Sequence, residues 1–362
     1  MKYIHDYENW WQFTYDSNRI MADLGRVRAK QGSLIGRMLS LGFDSQGEAA
    51  LTNMSMELVR SSEIEGERLN LEEVRSSIAR RLGIATAGMV PVSRYIEGVV
   101  EMQVDATQNY GLPLSHERLF GWHKVRFPTG MSGLYRSEVG KYRSGAMQVV
   151  SGAMGMERVH YQAPSAERVP AEMERLITWV NGKERIDAVL KAAIAHLWFV
   201  SIHPFDDGNG RIARALTEML LARSEDCGKR FYSISTEMKL HQKEYYEVLE
   251  RTQHGTGDIT AWLLWFLHCF EQALEAAQEA LGSVLRKAEF WERNRQIPVN
   301  ERQRRLLNMQ FDGFFGKLTP GKWAKNAKCS TDTALNDIRD LVQKGILRKA
   351  EEGGRSTNYV LR

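Results

Sequence analysis

Between positions 203 and 214 the chain reads His203-Pro204-Phe205-Asp206-Asp207-Gly208-Asn209-Gly210-Arg211-Ile212-Ala213-Arg214. The run joins an imidazole, a carboxylate, two glycines around an asparagine, and two arginines one helical turn apart. Read as chemistry, His203 is a base and Asp207 a metal ligand. Gly208, Asn209 and Gly210 form a turn that lets an anion approach the backbone, and Arg211 and Arg214 are two forks for phosphate oxygens. Together they describe a nucleoside triphosphate site with a proton acceptor beside it.

Two sites of similar composition are excluded. In EF-hand register, position 1 would be Phe205 and position 12 Leu216, so the first carboxylate and the bidentate Glu are both missing. No G-x-x-x-x-G-K-[ST] occurs, which removes a P-loop. The remaining alternative is a capped helix in which His203 merely packs and the arginines are solvated. A lone His would favour that reading, and the whole constellation favours the triphosphate site.

The elements that must position these residues are helical. Residues 186–200 are rich in Ala, Leu, Ile and aromatic side chains and contain no Gly or Pro, which predicts a buried helix. Pro204 and Gly208-Asn209-Gly210 break the chain into a tight loop. From Arg211 onward, Ile212, Ala215, Leu216, Met219 and Leu220 recur at helical spacing. The loop therefore opens onto a helix N-terminus, where unpaired N–H groups and the positive dipole end attract anions.

The chain has 362 residues, 43% hydrophobic and 26% charged, with a formal net charge of +4. That is enough for two or three domains of an ordinary soluble protein. Its 3 cysteines, Cys227, Cys269 and Cys329, are far apart and form no C-x-x-C, which fits a reducing compartment and no zinc site. The first residues show no apolar signal region, and no stretch of 18 apolar residues exists, so a cytoplasmic protein without membrane contact is expected.

The pattern along the chain predicts a mainly α fold in three parts: a helical domain over 1–90, a core over 91–290, and a separate unit over 300–362 after a polar linker at 291–300. Helix-period stretches lie around 18–41, 46–65 and 71–82, with Asn70 and Glu73 as a capping pair for the third. Between Gly140 and Pro164, two extended segments around Gly-rich turn chemistry predict a β-hairpin near 147–161. It is either a small structural cover or a strand edge for a peptide.

Residues 300–362 hold thirteen Lys/Arg against seven Asp/Glu, a local charge of +6. Two amphipathic segments, around 301–311 and 331–344, flank a turn near Pro320-Gly321. Residues 346–350 and 358–361, separated by Gly353-Gly354, read as a two-stranded wing. The unit resembles a winged helix-turn-helix. Thr331, Asp332, Thr333 and Asn336 could meet bases, with Lys325, Lys328, Arg348 and Arg355 on phosphates, so DNA is one partner class. Protein binding or dimerisation is the other.

The run at 203–214 resembles the signature of the Fic family, His-x-Phe-x-(Asp/Glu)-Gly-Asn-Gly-Arg-x-x-Arg, at every specified position. This resemblance implies a Fic-type helical core with the hairpin as a flap, which holds a target segment by β-augmentation. The implied activity is transfer of AMP from ATP to a Ser, Thr or Tyr hydroxyl of a target protein. His203 would be the base and Asp207 would hold Mg²⁺ on the α- and β-phosphates. Gly208, Asn209 and Gly210 would line the oxyanion region, with Arg211 on the β-phosphate and Arg214 on the γ-phosphate.

Upstream, Ser61-Ser62-Glu63-Ile64-Glu65-Gly66 is similar to the family's inhibitory (Ser/Thr)-x-x-x-Glu-(Gly/Asn) pattern. Glu65 falls at the end of a helix closed by Gly66, where the dipole disfavours a carboxylate. The resemblance supplies Arg214 as its cationic partner, so that Glu65 would block the γ-phosphate position. The alternative is a solvated acidic face, since Glu57, Glu63, Glu65 and Glu67 cluster there.

The resemblance also implies that Tyr246 stacks on adenine and that Gln253 supplies an amide to the base pocket, although His254-Gly255-Thr256 makes an apparent two-residue insertion. A nucleotide-sensing DNA-binding regulator, removal of AMP with Glu65 positioning a water, and transfer of another nucleotide such as UMP are the other functions these residues admit.

Overall fold

The computed structural model describes residues 2–362 except 85–87, 133–134, 137, 153–155, 157, 312–316 and 351–357. By spatial contact the chain divides into two units, Met1–Ala277 and Gln278–Arg362.

The first unit opens with α1 (Ser17–Leu39), α2 (Phe43–Ile64) and α3 (Leu71–Leu82), close to the three predicted stretches. Their starts follow from side-chain caps. Asp16 accepts from the Asn18 and Arg19 amides, and Asn70 from those of Glu72 and Glu73. The Glu73 carboxylate does not return to Asn70; it accepts from the Ser93 amide, at the N-cap of α4 (Arg94–Gln108). Leu51, Met54 and Leu58 of α2 pack with Val74 and Ile78 of α3 and Ile96 and Val100 of α4. This packing fixes where α2 ends.

After α5 (His116–Arg126) comes a short antiparallel pair, β1 (Met131–Ser132) and β2 (Tyr135–Arg136), which the sequence pattern did not predict. The expected hairpin is β3 (Gln148–Ser151) with β4 (Arg158–Gln162), antiparallel with Val149 opposite Tyr161 and an irregularity between Val149 and Val150. Residues 153–155 and 157, at its tip, lie outside the described residues. Tyr161 is buried and its hydroxyl donates to the Ser201 carbonyl at 2.8 Å, pinning the hairpin to the core.

The centre is built by α6 (Val169–Asn181), α7 (Ala188–Ile202) and α8 (Asn209–Glu225). Asp187 caps α7 by accepting from the Val189 amide, and every residue from Ala192 to Ile202 is buried. The inner residues of α8 from Arg211 to Ala222 are buried as well. The absence of a polar stripe on residues 186–200 is thus the mark of a helix inside the protein. Because the helices on either side of loop 203–208 are both interior, the loop is held at both ends by close-packed structure. The unit continues through α9 (Ile234–Leu240), α10 (Gln242–Gln253) and α11 (Thr260–Arg293), within which the boundary between the units falls.

The second unit holds α12 (Glu301–Phe311), α13 (Pro320–Ala327), α14 (Thr331–Gln343) and an antiparallel pair, β5 (Leu347–Lys349) with β6 (Tyr359–Leu361). The predicted turn at Pro320-Gly321 is instead the first turn of α13. Thr319 caps it by accepting from the Lys322 amide, and Pro320 stands at the start, where its fixed φ suits a helix. Leu306, Trp323, Ile338, Leu341 and Leu347 form the core. Buried Asp337 ties the helices together, accepting from Arg302 at 2.6 and 2.7 Å and from Trp323 Nε1 at 3.2 Å. Lys325, Lys328, Thr331, Asp332, Asn336 and Arg348 are exposed, Thr333 is half-buried, and Arg355 lies outside the described residues. No helix among the described residues is long and apolar enough to cross a membrane.

Candidate active site

His203 ends α7 in the left-handed conformation, φ 51°, which turns the chain sharply out of the helix. Its ring Nδ1 lies 3.2 Å from the Val200 carbonyl. With Nδ1–H donating there, Nε2 is the nitrogen with a free lone pair. Burial, with a contribution from the Arg143 charge, holds the imidazole below its ordinary value of 6.5, so it is neutral at physiological pH.

The loop is braced from several sides. Arg143, buried, donates from Nε to the His203 carbonyl at 2.8 Å and from Nη2 to the Pro164 and Ile202 carbonyls. Its Nη1 reaches the Gly145 carbonyl and its own amide the Pro204 carbonyl. One guanidinium therefore joins both flanks of the β3–β4 hairpin to the base. Asn209 closes the other side of the loop. Its amide accepts from the Phe205 N–H at 3.0 Å and donates to the Phe205 carbonyl at 2.8 Å. The Asn209 side chain thus shapes the turn.

Phe205 is buried and stacks on His123, ring centroids 4.3 Å apart. His123 Nδ1 accepts from the Gly140 amide, so Nε2–H donates to the Asp207 carbonyl at 3.2 Å. Burial pushes the His123 pKa down to about 4, keeping this tautomer neutral. Gly208 has φ 82°, and a Cβ there would stand 3.0 Å from the Phe127 ring. Both its conformation and its neighbour require glycine.

At the N-terminus of α8, the end whose dipole and unpaired N–H groups favour negative charge, stand the two arginines. Arg214, almost fully buried, donates from Nε to Ser61 Oγ at 2.8 Å and from Nη2 to the Ser61 carbonyl and to Glu65 Oε1, at 2.8 and 2.7 Å. Burial opposes the Arg214 charge, but the Glu65 carboxylate outweighs it and raises the pKa. Arg211 donates to Glu67 Oε2 at 2.8 Å and to Asp207 Oδ1 at 3.0 Å. Ser61, Glu65, Asp207, Arg211 and Arg214 are therefore gathered in one place.

Glu65 is the residue just after α2, and Gly66 follows with φ 79°. The last carbonyls of α2 are capped by the core. Lys239 Nζ donates to the Glu63 carbonyl at 2.8 Å, and Gln242 Nε2 and the Tyr246 hydroxyl donate to that of Ile64, at 2.7 and 3.1 Å. Tyr246 thus stands beside the Glu65 segment, with 40% of its surface exposed. Gln253 is buried and donates to Ser201 Oγ at 3.2 Å.

Asp207 is 41% exposed, and no group of three or more His, Cys, Asp or Glu arranged for a metal occurs among the described residues. One loop carboxylate fits an ion that takes its remaining ligands from phosphate oxygens and water, as Mg²⁺ does. Sequence reasoning did not single out Glu67, His123, Arg126 or Arg143. Only Glu67 carried a signal: it stands two residues beyond Glu65 across a glycine, as a second acid facing a second arginine.

Residues 113–221, which contain His123, Arg143 and the whole 203–214 run, match the Fic/DOC family. The chain carries a Fic domain. Residues 3–84 match a family described as Domain of unknown function (DUF4172). Ser61, Glu65 and Glu67 come from that preceding stretch and reach across to the arginines of the Fic domain.

The chain is 23% identical over 230 residues to a protein from Nematostella vectensis named Protein adenylyltransferase Fic, covering 60% of this chain and 47% of that relative. It thus spans about half the length of that curated relative. In fold it is similar to a Fic family protein from Desulfovibrio desulfuricans, with TM-score 0.53, 21% identity, and 94% and 96% of the two chains covered. It is likewise similar to a Fic domain containing signaling protein from Bacteroides thetaiotaomicron, with TM-score 0.52, 23% identity, and 70% and 95% covered.

Proposed function

We propose that this protein is an autoinhibited AMP transferase, acting from ATP on a Ser, Thr or Tyr hydroxyl of a target protein. The observation that carries the reading is a neutral imidazole one loop away from an arginine-lined helix N-terminus whose Arg214 is neutralised by Glu65 of the same chain. The naming of relatives as adenylyltransferases supports the choice of AMP.

In this reaction the target hydroxyl oxygen attacks the α-phosphorus of ATP, and its proton passes to His203 Nε2. The bond between the α-phosphorus and the bridging oxygen breaks, and pyrophosphate leaves. Backbone N–H groups of Gly208, Asn209 and Gly210 are the donors for charge gathering on the α-phosphate. Arg211 takes the β-phosphate and Arg214 the γ-phosphate. Asp207 would hold Mg²⁺ against the phosphates, and that ion supplies charge neutralisation for the leaving pyrophosphate. The two-stranded β3–β4 hairpin supports a target segment added along its edge through main-chain hydrogen bonds. Tyr246 would stack on the adenine ring, and Gln253 would supply an amide to the base pocket.

Inhibition follows from the same geometry. While Glu65 holds Arg214, the γ-phosphate has no cationic partner and ATP cannot bind productively. The deciding experiment incubates the protein, Glu65→Gly and Glu65→Gly/His203→Ala with α-labelled ATP and Mg²⁺, alone and with cell lysate. Strong labelling of protein by Glu65→Gly alone supports the reading. Nucleotide binding without labelling by that variant removes it, and a nucleotide sensor takes its place.

The second unit we read as a winged helix-turn-helix with α14 as its recognition helix. The exposed Thr331, Asp332 and Asn336 beside Lys325, Lys328 and Arg348 support a DNA partner. Duplex binding that weakens steeply with salt is the expected result, and binding that ignores salt would point to a protein partner.

A further inference from the structure

Glu65 is not the only carboxylate that the stretch after α2 lays on the arginines. Glu67 Oε2 accepts from Arg211 Nη1 at 2.8 Å and also from Arg126 Nη2, while the Tyr95 hydroxyl donates to Oε1. Arg126, at the end of α5, is 1% exposed. Its guanidinium lies 4.6 Å from the Tyr95 ring centroid and 5.3 Å from that of Phe127. Aromatic walls and a shared carboxylate thus bring Arg126 and Arg211 side by side.

The hydrogen-bonding of this cluster is incomplete in one direction only. Arg126 Nε and Nη1 and Arg211 Nε are buried donors without a hydrogen-bond partner among the described residues. Such donors are costly to leave unmade, and more so on charged groups. Burial and the neighbouring Arg211 charge bring the Arg126 pKa down to about 10, so it stays cationic while crowded by a like charge. An excess of cationic forks over acceptor oxygens suits a ligand with more charge and more oxygens than one carboxylate brings, and a polyphosphate has both.

We propose that Arg126 is a third arginine of the polyphosphate site, and that Glu67 stands in for a phosphate group there until the Glu65–Glu67 segment withdraws. The inference rests on the nucleotide-site reading given above. It makes the inhibitory segment a two-pronged one, with Glu65 on Arg214 and Glu67 on Arg211 and Arg126. A variant lacking Glu65 alone is then only partly released.

The test measures binding of ATP, AMP and inorganic tripolyphosphate to Glu65→Gly, Glu65→Gly/Glu67→Gln, and the latter with Arg126→Gln or Arg126→Lys. Removing the Glu67 charge is expected to raise affinity for ATP and tripolyphosphate about tenfold over Glu65→Gly, the equivalent of about 1.4 kcal/mol, with little effect on AMP. Arg126→Gln should cancel that gain, and Arg126→Lys, which keeps the charge but not the fork, should cancel part of it. If Arg126→Gln fails to fold, judged by thermal unfolding, Glu67→Gln and Arg126→Lys still decide.

Equal changes for AMP and ATP, or no change on Glu67→Gln, overturn the proposal. So does a gain that survives both Arg126 substitutions. Should ATP bind with this pattern while no label reaches protein, the transferase reading fails and the third arginine stands. No binding of any probe by any folded variant overturns both.

Discussion

The carboxylate of Glu65 fills the space beside Gly210 that a side chain would need: a Cβ on Gly210 would clash with Glu65 Oε1, with Arg214 Nη1 3.2 Å away. Glycine at the second residue of α8 therefore leaves a berth for an anion on the first helical turn, and in this structure an acid of the same chain lies in it. The dipole and unpaired N–H groups of α8 favour negative charge there whichever molecule brings it. The proposed competition between Glu65 and a phosphate would turn on that single missing Cβ.

Gly210→Ala tests the berth directly. In the unmodified chain the new methyl must push the Glu65 carboxylate away from Arg214, and stability should fall by about 1–2 kcal/mol, as for loss of a charged hydrogen bond. In Glu65→Gly the obstacle is gone, and alanine should be neutral or better, since it exceeds glycine in helices by up to about 1 kcal/mol. Urea unfolding of the four proteins of the cycle should give a coupling of about 1–3 kcal/mol. Additive effects would mean that Glu65 does not rest on Gly210 in solution.

Arg143 offers a second prediction, because it serves the base only through the backbone. Its guanidinium hydrogen bonds go to the carbonyls of Gly145, Pro164, Ile202 and His203. Lysine keeps the charge but cannot reach four carbonyls at once. Arg143→Lys in the Glu65→Gly background should lose about 1–3 kcal/mol of stability. The turnover number should fall by tenfold or more, of the order that misplacing a base costs, while ATP affinity stays nearly constant. A matched loss in ATP affinity would show instead that the whole site had collapsed.

How much of this was legible in sequence depends on where each partner comes from. The 203–214 run is readable because its residues act together over one loop and one helical turn. The four glutamates 57, 63, 65 and 67 look alike in sequence but have four different fates. Glu57 is buried under Ser233 and Ser235, Glu63 pairs locally with Arg60, Glu65 meets Arg214, and Glu67 meets Arg211 and Arg126. Except for Glu63, those fates are set by residues far away in the chain, which periodicity cannot supply. Arg126 and Arg143 gave no signal for the same reason. Pro320-Gly321 misled because proline opens helices as readily as it makes turns, and β1–β2 is too short to impose a period.

Tyr246 joins the nucleotide question to the inhibitory one. Its hydroxyl donates to the Ile64 carbonyl, immediately before Glu65. Tyr246→Phe removes that donor and keeps the ring, leaving Gln242 as the remaining cap. Losing one neutral hydrogen bond costs about 1 kcal/mol, which should raise basal labelling about fivefold if the α2 end is thereby loosened. Tyr246→Ala should loosen the segment equally yet weaken ATP binding, because the ring is lost too. Labelling assays with ATP titration separate the two. Identical behaviour of the Phe and Ala variants would deny the ring a part in nucleotide binding.

The pH dependence should report His203. Burial lowers its pKa from 6.5, so in the folded protein the neutral base persists to lower pH than in an unfolded chain. With Glu65→Gly as the working enzyme, kcat/KM should be flat above neutrality. It should fall with a single-proton slope at lower pH, with a midpoint below 6.5. The same shift has a fixed sign in stability: the contribution of His203 is complete above pH 6.5 and is lost as pH falls through the folded-state value, since the unfolded state takes up the proton first. His203→Ala should therefore abolish labelling and also flatten the acid side of the stability profile measured by urea unfolding. A kinetic midpoint above 6.5 would mean that the imidazole is stabilised as a cation, and the base would have to be sought elsewhere.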